Sequence, residues 1–347
     1  MRNNPINASI DFDKEGVQHG FLSLPYSRDD SAWGAVMIPI TQIKNGDGPT
    51  ALLTGANHGD EYEGPIALFS FAERTKLSDI NGRIIIIPAM NYPAFQTGTR
   101  VSPIDSVNLN RAFPGKANGT VTQIIADYFS RILLPMADYV LDIHSGGKTL
   151  DFLPFSACHL LADSEQQARC RAARDAFQAP YQVMMLDIDA ESMYDTQVEN
   201  MGKVFVTTEL GGGGTTTPST VAIAKRGVDN FLIHSGIMAG ELLACDEDIV
   251  ELDMADSSCY LFSQHAGLLE PCVSLGDRVQ KGDLMAKIYS TERTGIAPVE
   301  YYAKRSGLVI ARHVPSLVKM GDCLYVIADI VADAVNSSEG VGLNPRL

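Results

Sequence analysis

Strand-like and helix-like segments alternate along the chain between about residues 50 and 240, and this alternation limits the fold more than any other feature. Residues 51–54 and 139–143 are apolar runs of strand length, and residues 203–209 make a third. Residues 83–88 form a continuous apolar strand of the kind that is buried on both faces. Because helices separate these strands, the sequence predicts an α/β layer fold with helices on both faces of the sheet.

Capping signals mark where the intervening helices begin. The first helix is expected near Pro65, since proline is favoured in the first helical turn. Residues 120–123 and 164–167 both match the capping-box pattern and precede amphipathic segments. Thr217 and Pro218 open the last helix of the alternating region in the same manner.

The pattern changes after about residue 245, where only short strands separated by Gly-Asp turns remain. We therefore expect a large catalytic domain over residues 1–247, in which residues 1–48 form a β extension. A small all-β domain is expected over residues 248–332. Residues 333–347 are polar and contain glycine, which predicts a loose tail.

Composition excludes several classes of partner. A net charge of −15 argues against nucleic acid, because binding a phosphate backbone requires a concentrated basic surface. No apolar run reaches the roughly 18 residues that a membrane-spanning helix requires, and the N-terminus lacks the apolar core of a secretory signal. A cytoplasmic protein without a nucleic-acid or membrane partner is expected, and a homo-oligomer remains possible. The six cysteines lack Cys-x-x-Cys spacing and are expected to be small buried side chains, so a metal site must use histidine and carboxylate.

Histidine and carboxylate residues follow the ends of three predicted strands. His58 and Glu61 lie three residues apart in the loop after the first strand, and His144 comes directly after residues 139–143. Because functional sites collect at the carboxyl ends of strands in an open α/β sheet, these side chains are expected to meet. Zinc takes three such ligands and leaves one position for water. Glu209 ends a further strand and is the candidate base.

Each of these residues has a simpler explanation when taken alone. A histidine and a glutamate three apart are often a surface pair, His144 could be a hydrogen-bonded core histidine, and the four glycines after Glu209 could be a plain loop. Their coincidence at three strand ends favours a zinc hydrolase. In such an enzyme zinc lowers the pKa of a bound water to about 7, and Glu209 would take its proton and return it to the leaving nitrogen.

Four motifs together resemble those of the succinylglutamate desuccinylase/aspartoacylase family, which belongs with the zinc carboxypeptidases. They are HGDE at 58–61, NLNRAFPG at 108–115, DIHSGG at 142–147 and TTELGGGG at 207–214. The resemblance extends from about residue 48 to 330. It implies a three-layer α/β/α domain with a mixed sheet and one zinc ion per chain. It also implies His58, Glu61 and His144 as zinc ligands and Glu209 as the catalytic glutamate.

The same resemblance indicates how the substrate is held. Asn110 and Arg111 match the family's grip on the substrate carboxylate, which agrees with the planar fork that a guanidinium offers to a carboxylate. Arg100 could match the arginine that polarises the scissile carbonyl, and its spacing from Asn110 differs from the family pattern. The implied reaction is hydrolysis of the amide bond of a small N-acyl amino acid. Within the family, the sequence is most similar to the N-acetyl-2,4-diaminobutyrate deacetylases of ectoine breakdown.

An acidic segment lies directly before the strand that ends at Glu209. It contains no basic residue and supplies five carboxylates, those of Asp187, Asp189, Glu191, Asp195 and Glu199. The ammonium group of a diaminobutyrate substrate would require an acidic partner, and Asp195 or Glu199 is the expected one. A solvated loop is the alternative.

The C-terminal strands carry their own resemblance, to a biotinyl/lipoyl barrel-sandwich, in GDRVQKGD at 276–283 and GLVIARHV at 307–314. A carrier domain of that type needs a lysine in the hairpin between its halves, and residues 289–297 contain none. The domain is therefore interpreted as structural, with a possible role in walling the active site. A carboxypeptidase, a desuccinylase or aspartoacylase for another N-acyl amino acid, a carrier or scaffold module and a non-catalytic zinc protein are the alternative functions.

Overall fold

The structure of the chain is a computed structural model that describes residues 3–185, 191–254 and 256–331. Its α-helices are α1 (Glu63–Arg74), α2 (Tyr92–Thr97), α3 (Val121–Tyr128), α4 (Ser164–Phe177), α5 (Tyr194–Glu199) and α6 (Pro218–His234). Within these ranges, no helix combines the length and the apolar character needed to cross a bilayer.

The strands of the first 253 residues are β1 (Asn7–Ala8), β2 (Gly16–Pro25), β3 (Ala35–Asn45), β4 (Thr50–Gly55), β5 (Gly82–Ile87), β6 (Tyr139–His144), β7 (Leu150–Phe152), β8 (Phe155–His159), β9 (Tyr181–Met185), β10 (Val204–Glu209) and β11 (Val250–Asp253). The strands that follow are β12 (Tyr260–Phe262), β13 (Gly267–Pro271), β14 (Arg278–Val279), β15 (Leu284–Tyr289), β16 (Val299–Tyr302), β17 (Gly307–His313), β18 (Leu317–Val318) and β19 (Cys323–Ile330). The strands and helices predicted between residues 50 and 240 are all present.

The large sheet is mixed. Its central strands β5, β4, β6 and β10 run parallel to one another in that spatial order. Strand β3 is antiparallel to β5 on one side, and β8 is antiparallel to β10 on the other. The predicted N-terminal β extension adds β1, β2 and β3 to one edge of this sheet. The central parallel strands therefore bring several carboxyl ends to one edge.

Helices cover both faces of the large sheet, as the alternation of segments predicted. On one face α1, α4 and α6 contribute Phe71, Phe177 and Phe231 to a single apolar core. On the opposite face α3 and α5 pack Ile125 and Tyr194 into a second core. The result is the expected three-layer α/β/α arrangement, and the parallel strands at its centre are buried on both faces.

The C-terminal strands form a sandwich rather than a closed barrel in the described residues. Strands β16, β15, β13 and β18 make a small antiparallel sheet, and side chains from it share a core with β17 and β19. Strand β11 joins the two regions because it pairs with β9 on one side and with β19 on the other. The domain division at residue 247 stays a prediction, and the tail at 333–347 lies outside the described residues.

Two local predictions have different outcomes at the helix starts. The capping box at Thr120 is confirmed, with its hydroxyl accepting a hydrogen bond from the backbone N–H of Gln123. The one predicted for residues 164–167 is wrong. Asp163 caps α4 instead, because its carboxylate accepts from the backbone N–H groups of Glu165 and Gln166 at 2.9 and 3.1 Å. A carboxylate one residue earlier thus replaces the hydroxyl as the cap.

The cysteines follow the prediction only in part. Cys158, Cys170 and Cys259 are buried, while Cys272 is exposed. All six are free thiols. Desolvation by burial raises the pKa of the Cys158 thiol to about 12, which makes it an inert core residue.

Candidate active site

Three neighbouring parallel strands deliver the predicted metal ligands and the predicted base to one edge of the sheet. The loop after β4 carries His58 and Glu61, and β6 ends at His144. Glu209 ends β10 and is the register partner of His144 in the ladder between these strands. Because β4 and β10 flank β6 on its two sides, residues that are far apart in sequence meet within one site.

His58, Glu61 and His144 form a buried group that could hold a metal ion. One ligand atom from each side chain lies within 4.8 Å of the others. Nδ1 of His58 lies 2.7 Å from Oε1 of Glu61, and Nδ1 of His144 lies 2.9 Å from Oε2 of the same carboxylate. Two imidazoles and one carboxylate are a ligand set that zinc commonly uses.

A second layer of polar residues fixes His144. Its Nε2 lies 2.8 Å from Oδ2 of Asp142, on the same strand. The Asp142 carboxylate also accepts hydrogen bonds from Asn57 Nδ2 at 3.0 Å and from the Thr54 hydroxyl at 2.7 Å. Metal-bound histidines commonly place their second nitrogen against a carboxylate in this way. The residues present therefore fit a metal ion facing Nδ1 of His144.

Electrostatics differ sharply between the two histidines. Burial lowers the pKa of His58 and outweighs the opposite effect of Glu61. Burial also disfavours the charged form of His144, but the carboxylates of Asp142 and Glu61 outweigh it and raise the pKa of His144 well above its usual value. Both histidines lower the pKa of the Glu61 carboxyl group despite its burial. Glu61 is therefore an ionised acceptor between two imidazoles.

Glu209 has the environment of a carboxyl group that can exchange a proton near neutral pH. Burial, followed by the nearby charge of Glu61, raises its pKa to about 8. Its Oε2 atom is buried and lacks a hydrogen-bond partner within the described ranges. A shifted carboxyl group beside candidate metal ligands is typical of a functional site.

Glycines after β6 and β10 let two backbone loops pack against each other at this edge. A Cβ atom on Gly146 would come within 2.2 Å of the Leu150 carbonyl oxygen, and one on Gly212 within 2.0 Å of the same atom. The N–H of Gly146 donates to the Gly211 carbonyl at 3.0 Å. Within the glycine run after Glu209, Gly212 is thus required for the close approach of the two loops.

The residues predicted to bind substrate line the same cavity, which has a volume of about 170 Å³. Arg100 is exposed, and its guanidinium lies 3.6 Å from Oε1 of Glu61. Asn110 is buried, and its Oδ1 accepts from the N–H of Tyr194 at 2.9 Å. That bond leaves the amide NH₂ of Asn110 as the group it can offer a ligand. Arg111 follows it in the same short turn.

The acidic segment reaches this cavity through helix α5. Asp195 lines the cavity. Glu199 does not line it, but its Oε1 lies 2.9 Å from Nδ1 of His159, which does. Glu191 is exposed and lies away from the site. Asp187 and Asp189, the other two acidic residues of the segment, lie outside the described residues.

Sequence reasoning did not find His159, Asp142 or Glu63. His159 ends β8, but β8 is antiparallel to β10, so the strand-end rule that found His144 does not lead to it. Asp142 stood inside the DIHSGG motif without a role. Glu63 is buried two residues after Glu61, and burial raises its pKa to about 7. No pattern in the sequence signals that a carboxyl group at the start of α1 is buried.

The C-terminal strands contact the site only indirectly. Strand β7, which follows the His144 loop, pairs with β17 through Asp151 and Arg312, whose side chains also form an ion pair at 3.0 Å. The cavity's lining in the described part of the chain comes from before residue 210: His58, Arg100, Asn110, Arg111, His144, His159, Met185, Met193, Asp195, Thr207, Thr208 and Glu209. The β sandwich therefore contributes no residue to the lining of the cavity in the described part of the chain, and its predicted role as a wall is not supported by a direct contact.

The α/β/α fold and this site define an amidohydrolase whose buried His-Glu-His group could hold a metal ion. Residues 47–235 match the family model described as the succinylglutamate desuccinylase/aspartoacylase catalytic domain. The chain belongs to the succinylglutamate desuccinylase/aspartoacylase family.

Relatives with high identity cover nearly the whole chain. The N-alpha-acetyl-L-2,4-diaminobutyric acid deacetylase of Halomonas elongata is 57% identical over 331 residues, which are 95% of this chain and 97% of that protein. The product-bound structure of the ectoine utilization protein EutE (DoeB) from Ruegeria pomeroyi is 59% identical, with a TM-score of 0.92 over 94% of this chain and 100% of that one. A succinylglutamate desuccinylase structure from Silicibacter sp. TM1040 is 62% identical, with a TM-score of 0.92 over 95% of this chain and 100% of that one.

Proposed function

We propose that this protein is a zinc-dependent deacetylase that hydrolyses Nα-acetyl-L-2,4-diaminobutyrate to acetate and L-2,4-diaminobutyrate. The observation that carries the proposal is the set of polar side chains that line one small cavity. Its lining includes His58 and His144 of the candidate metal group, Glu209 and the carboxylate of Asp195. The names of the Halomonas and Ruegeria relatives support the same substrate and a role in ectoine degradation.

The proposed metal site uses His58, Glu61 and His144 to hold one zinc ion per chain. When bound, zinc supplies a Lewis acid that activates water and polarises the acyl carbonyl. Asp142 lies 2.8 Å from Nε2 of His144, so that Nδ1 would be the atom of His144 that holds the ion. Because these ligands are buried, their arrangement is set by the fold before substrate arrives.

Glu209 is proposed as the general base and acid. Its buried Oε2 accepts a proton from the attacking water and returns it to the leaving nitrogen. Without a metal ion its pKa is raised to about 8, and the charge of a bound zinc ion would lower that pKa toward neutral pH, where the group can both accept and donate a proton.

Three residues are proposed to orient the substrate. The guanidinium of Arg111 and the amide NH₂ of Asn110 would bind the amino-acid carboxylate. Arg100 lies close to Glu61 at the mouth of the site, where its charge would stabilise negative charge developing on the acyl oxygen. Fixing the carboxylate and the carbonyl together sets the amide carbon against the attacking water.

Asp195 is proposed to bind the side-chain ammonium of the substrate. It lines the same cavity as His58 and His144 and is itself buried. A carboxylate that lines a small cavity can accept a charge-assisted hydrogen bond from a substrate ammonium. N-acetylaspartate would place a second carboxylate there instead and would be repelled.

The alternative functions fit these observations less well. The names of the Halomonas and Ruegeria relatives favour deacetylation of a small N-acetyl amino acid over peptide cleavage by a carboxypeptidase. A carrier function needs a lysine in the segment 289–297, which has none. A zinc protein without catalysis gives no role to the buried carboxyl group of Glu209, which lines the cavity of the candidate ligands and whose Oε2 has no hydrogen-bond partner among the described residues. The proposed reaction consumes a small polar metabolite, which suits an enzyme of the cytoplasm.

A competition assay tests the proposed function. The purified enzyme is given equal amounts of Nα-acetyl-L-2,4-diaminobutyrate and N-acetylaspartate, and free amino acid is followed with and without a chelator. We expect a clear preference for the diaminobutyrate derivative and loss of activity with the chelator. Preference for N-acetylaspartate would reject the substrate and keep the amidohydrolase, and full activity after complete zinc removal would reject the metal.

A further inference from the structure

His159 is a buried histidine at the end of β8 that the proposed mechanism does not use, and only 4% of its surface is exposed. It lines the catalytic cavity on one side. On its other side it lines a second cavity of about 430 Å³, to which Glu199 also contributes. Met185 is the other residue shared by these two cavities in the described part of the chain. His159 therefore stands between the substrate cavity and a larger neighbouring space.

The imidazole of His159 is held firmly in this position. Its Nδ1 lies 2.9 Å from Oε1 of Glu199, which is itself buried. The ring also stacks on Phe205, with centroids 6.5 Å apart and planes 10° from parallel. Met185 is partly exposed, and its unbranched side chain adapts easily to a neighbour. Of the two shared residues, His159 is the rigid one.

Along the sheet, the backbone of His159 lies well away from the register position of His144 and Glu209. Strand β8 pairs with β10 so that Phe155 is opposite Glu209, and His159 lies four residues further along, roughly 13 Å at about 3.3 Å per residue. Its Nε2 lies 3.9 Å from Oδ2 of Asp195, the proposed ammonium partner. The imidazole therefore lies next to the position expected for the ammonium group at the end of the substrate side chain.

We propose that His159 sets the length of the side chain that the enzyme accepts. This inference rests on the proposed function, since it takes Asp195 as the ammonium partner. A diaminobutyrate side chain ends in front of the imidazole, at Asp195. Ornithine and lysine carry one and two further methylene groups, which would run into the ring. Without the ring the two cavities would join, and the carboxylate of Glu199 behind it would become available to a longer side chain.

The first test uses the parent enzyme and needs no variant. Binding of L-2,4-diaminobutyrate, L-ornithine and L-lysine is measured by calorimetry, and kcat/KM is measured for their Nα-acetyl derivatives. Because one methylene in a fitted pocket changes binding about tenfold or more, we expect both quantities to fall by that factor at the first added methylene. Equal binding and equal turnover of the three would overturn the inference. Absence of turnover of Nα-acetyl-2,4-diaminobutyrate would instead reject the proposed function.

The second test compares His159→Ala with His159→Gln. The alanine variant removes the barrier, so the ratio of kcat/KM for Nα-acetylornithine to that for Nα-acetyl-2,4-diaminobutyrate should rise about tenfold or more. Glutamine is long enough to keep the space filled and should keep the parent's order of substrates. A purely structural role would lower all rates together, so an unchanged ratio in a folded, zinc-loaded alanine variant overturns the inference. If that variant does not fold, the parent's binding series decides.

Discussion

Nε2 of His144 lies 2.8 Å from Oδ2 of Asp142, two residues earlier on the same strand. Asp142 is buried, and burial opposes its ionisation, but His144 outweighs that effect and the pKa of the Asp142 carboxyl group is lowered. An ionised carboxylate only accepts hydrogen bonds, so Nε2 of His144 must carry the proton. Its Nδ1 is then the atom directed to Glu61 and to a metal ion.

Replacing Asp142 with asparagine should therefore weaken metal binding. The amide keeps the size of the side chain and loses the charge that fixes the tautomer of His144. We expect zinc affinity to fall about 10- to 100-fold, the usual loss when such an outer partner is removed. Competition with a chromogenic chelator measures it. Asp138→Asn, an exposed position just before the same strand, is the matched control, and equal losses in both variants would contradict the prediction.

The metal group itself predicts the outcome of three single substitutions. His58→Ala, Glu61→Ala and His144→Ala each remove one of the converging ligand atoms. The parent is expected to contain about one zinc per chain, and each purified variant should contain much less. Metal analysis after dialysis measures the occupancy. His19→Ala changes an exposed histidine on β2 and should leave it unchanged. Parent-like zinc content in all three ligand variants would place the metal elsewhere.

Glu209→Gln should separate metal binding from catalysis. An amide has nearly the same size as the carboxyl group but cannot accept a proton, so the variant should keep its zinc and lose about 10²- to 10⁴-fold in kcat. Metal content and single-turnover rates are measured on the same preparation. A variant with parent-like turnover would remove Glu209 from the mechanism.

Most of the site could be predicted from the sequence because it follows from strand polarity. Parallel strands expose their carboxyl ends together, so His58, His144 and Glu209 could be grouped once their strands were identified. His159 escaped because β8 runs antiparallel to its neighbour β10, and its five residues, FSACH, show no clear strand pattern. The side chain that bounds the cavity was therefore invisible in the sequence.

The C-terminal region was predictable as strands but not as a pairing scheme. Gly-Asp turns such as 276–277 and 282–283 indicated short antiparallel strands without indicating which would pair. The ladder between β7 and β17 places Asp151 opposite Arg312. Residues so far apart in the chain produce no periodic pattern in a single sequence from which their pairing could be predicted. The attachment of the sandwich to the site loop could come only from the structure.

Arg111→Lys should impair mainly those substrates that carry a carboxylate. Lysine keeps the charge and loses the two-pronged geometry. A charge-assisted hydrogen bond contributes about 1.5–3 kcal/mol, so kcat/KM for Nα-acetyl-2,4-diaminobutyrate should fall about tenfold or more. The corresponding α-carboxamide should be a comparably poor substrate for parent and variant. Equal handling of both substrates by the two proteins would show that Arg111 does not bind the carboxylate.

Glu63 occupies the first turn of α1 as a buried carboxyl group. Its Oε1 accepts a hydrogen bond from the Thr220 hydroxyl at 3.1 Å, while its buried Oε2 has no partner among the described residues. Burial raises its pKa from 4.5 to about 7. Below pH 4.5 the group is protonated whether the chain is folded or unfolded. Between pH 4.5 and 7 the unfolded chain releases the proton and the folded chain retains it, so stability falls as the pH rises.

Glu63→Gln should remove this pH dependence, because the amide is neutral throughout. One pKa unit corresponds to about 1.4 kcal/mol, so relative to the parent the variant should gain about 1–3 kcal/mol in free energy of unfolding between pH 5 and pH 8. Urea denaturation of chelator-treated protein at both pH values measures the change. Glu73→Gln, at an exposed position of the same helix, should show no such gain. A variant whose stability relative to the parent is the same at pH 5 and pH 8 would mean that Glu63 is ionised in the folded protein across that range.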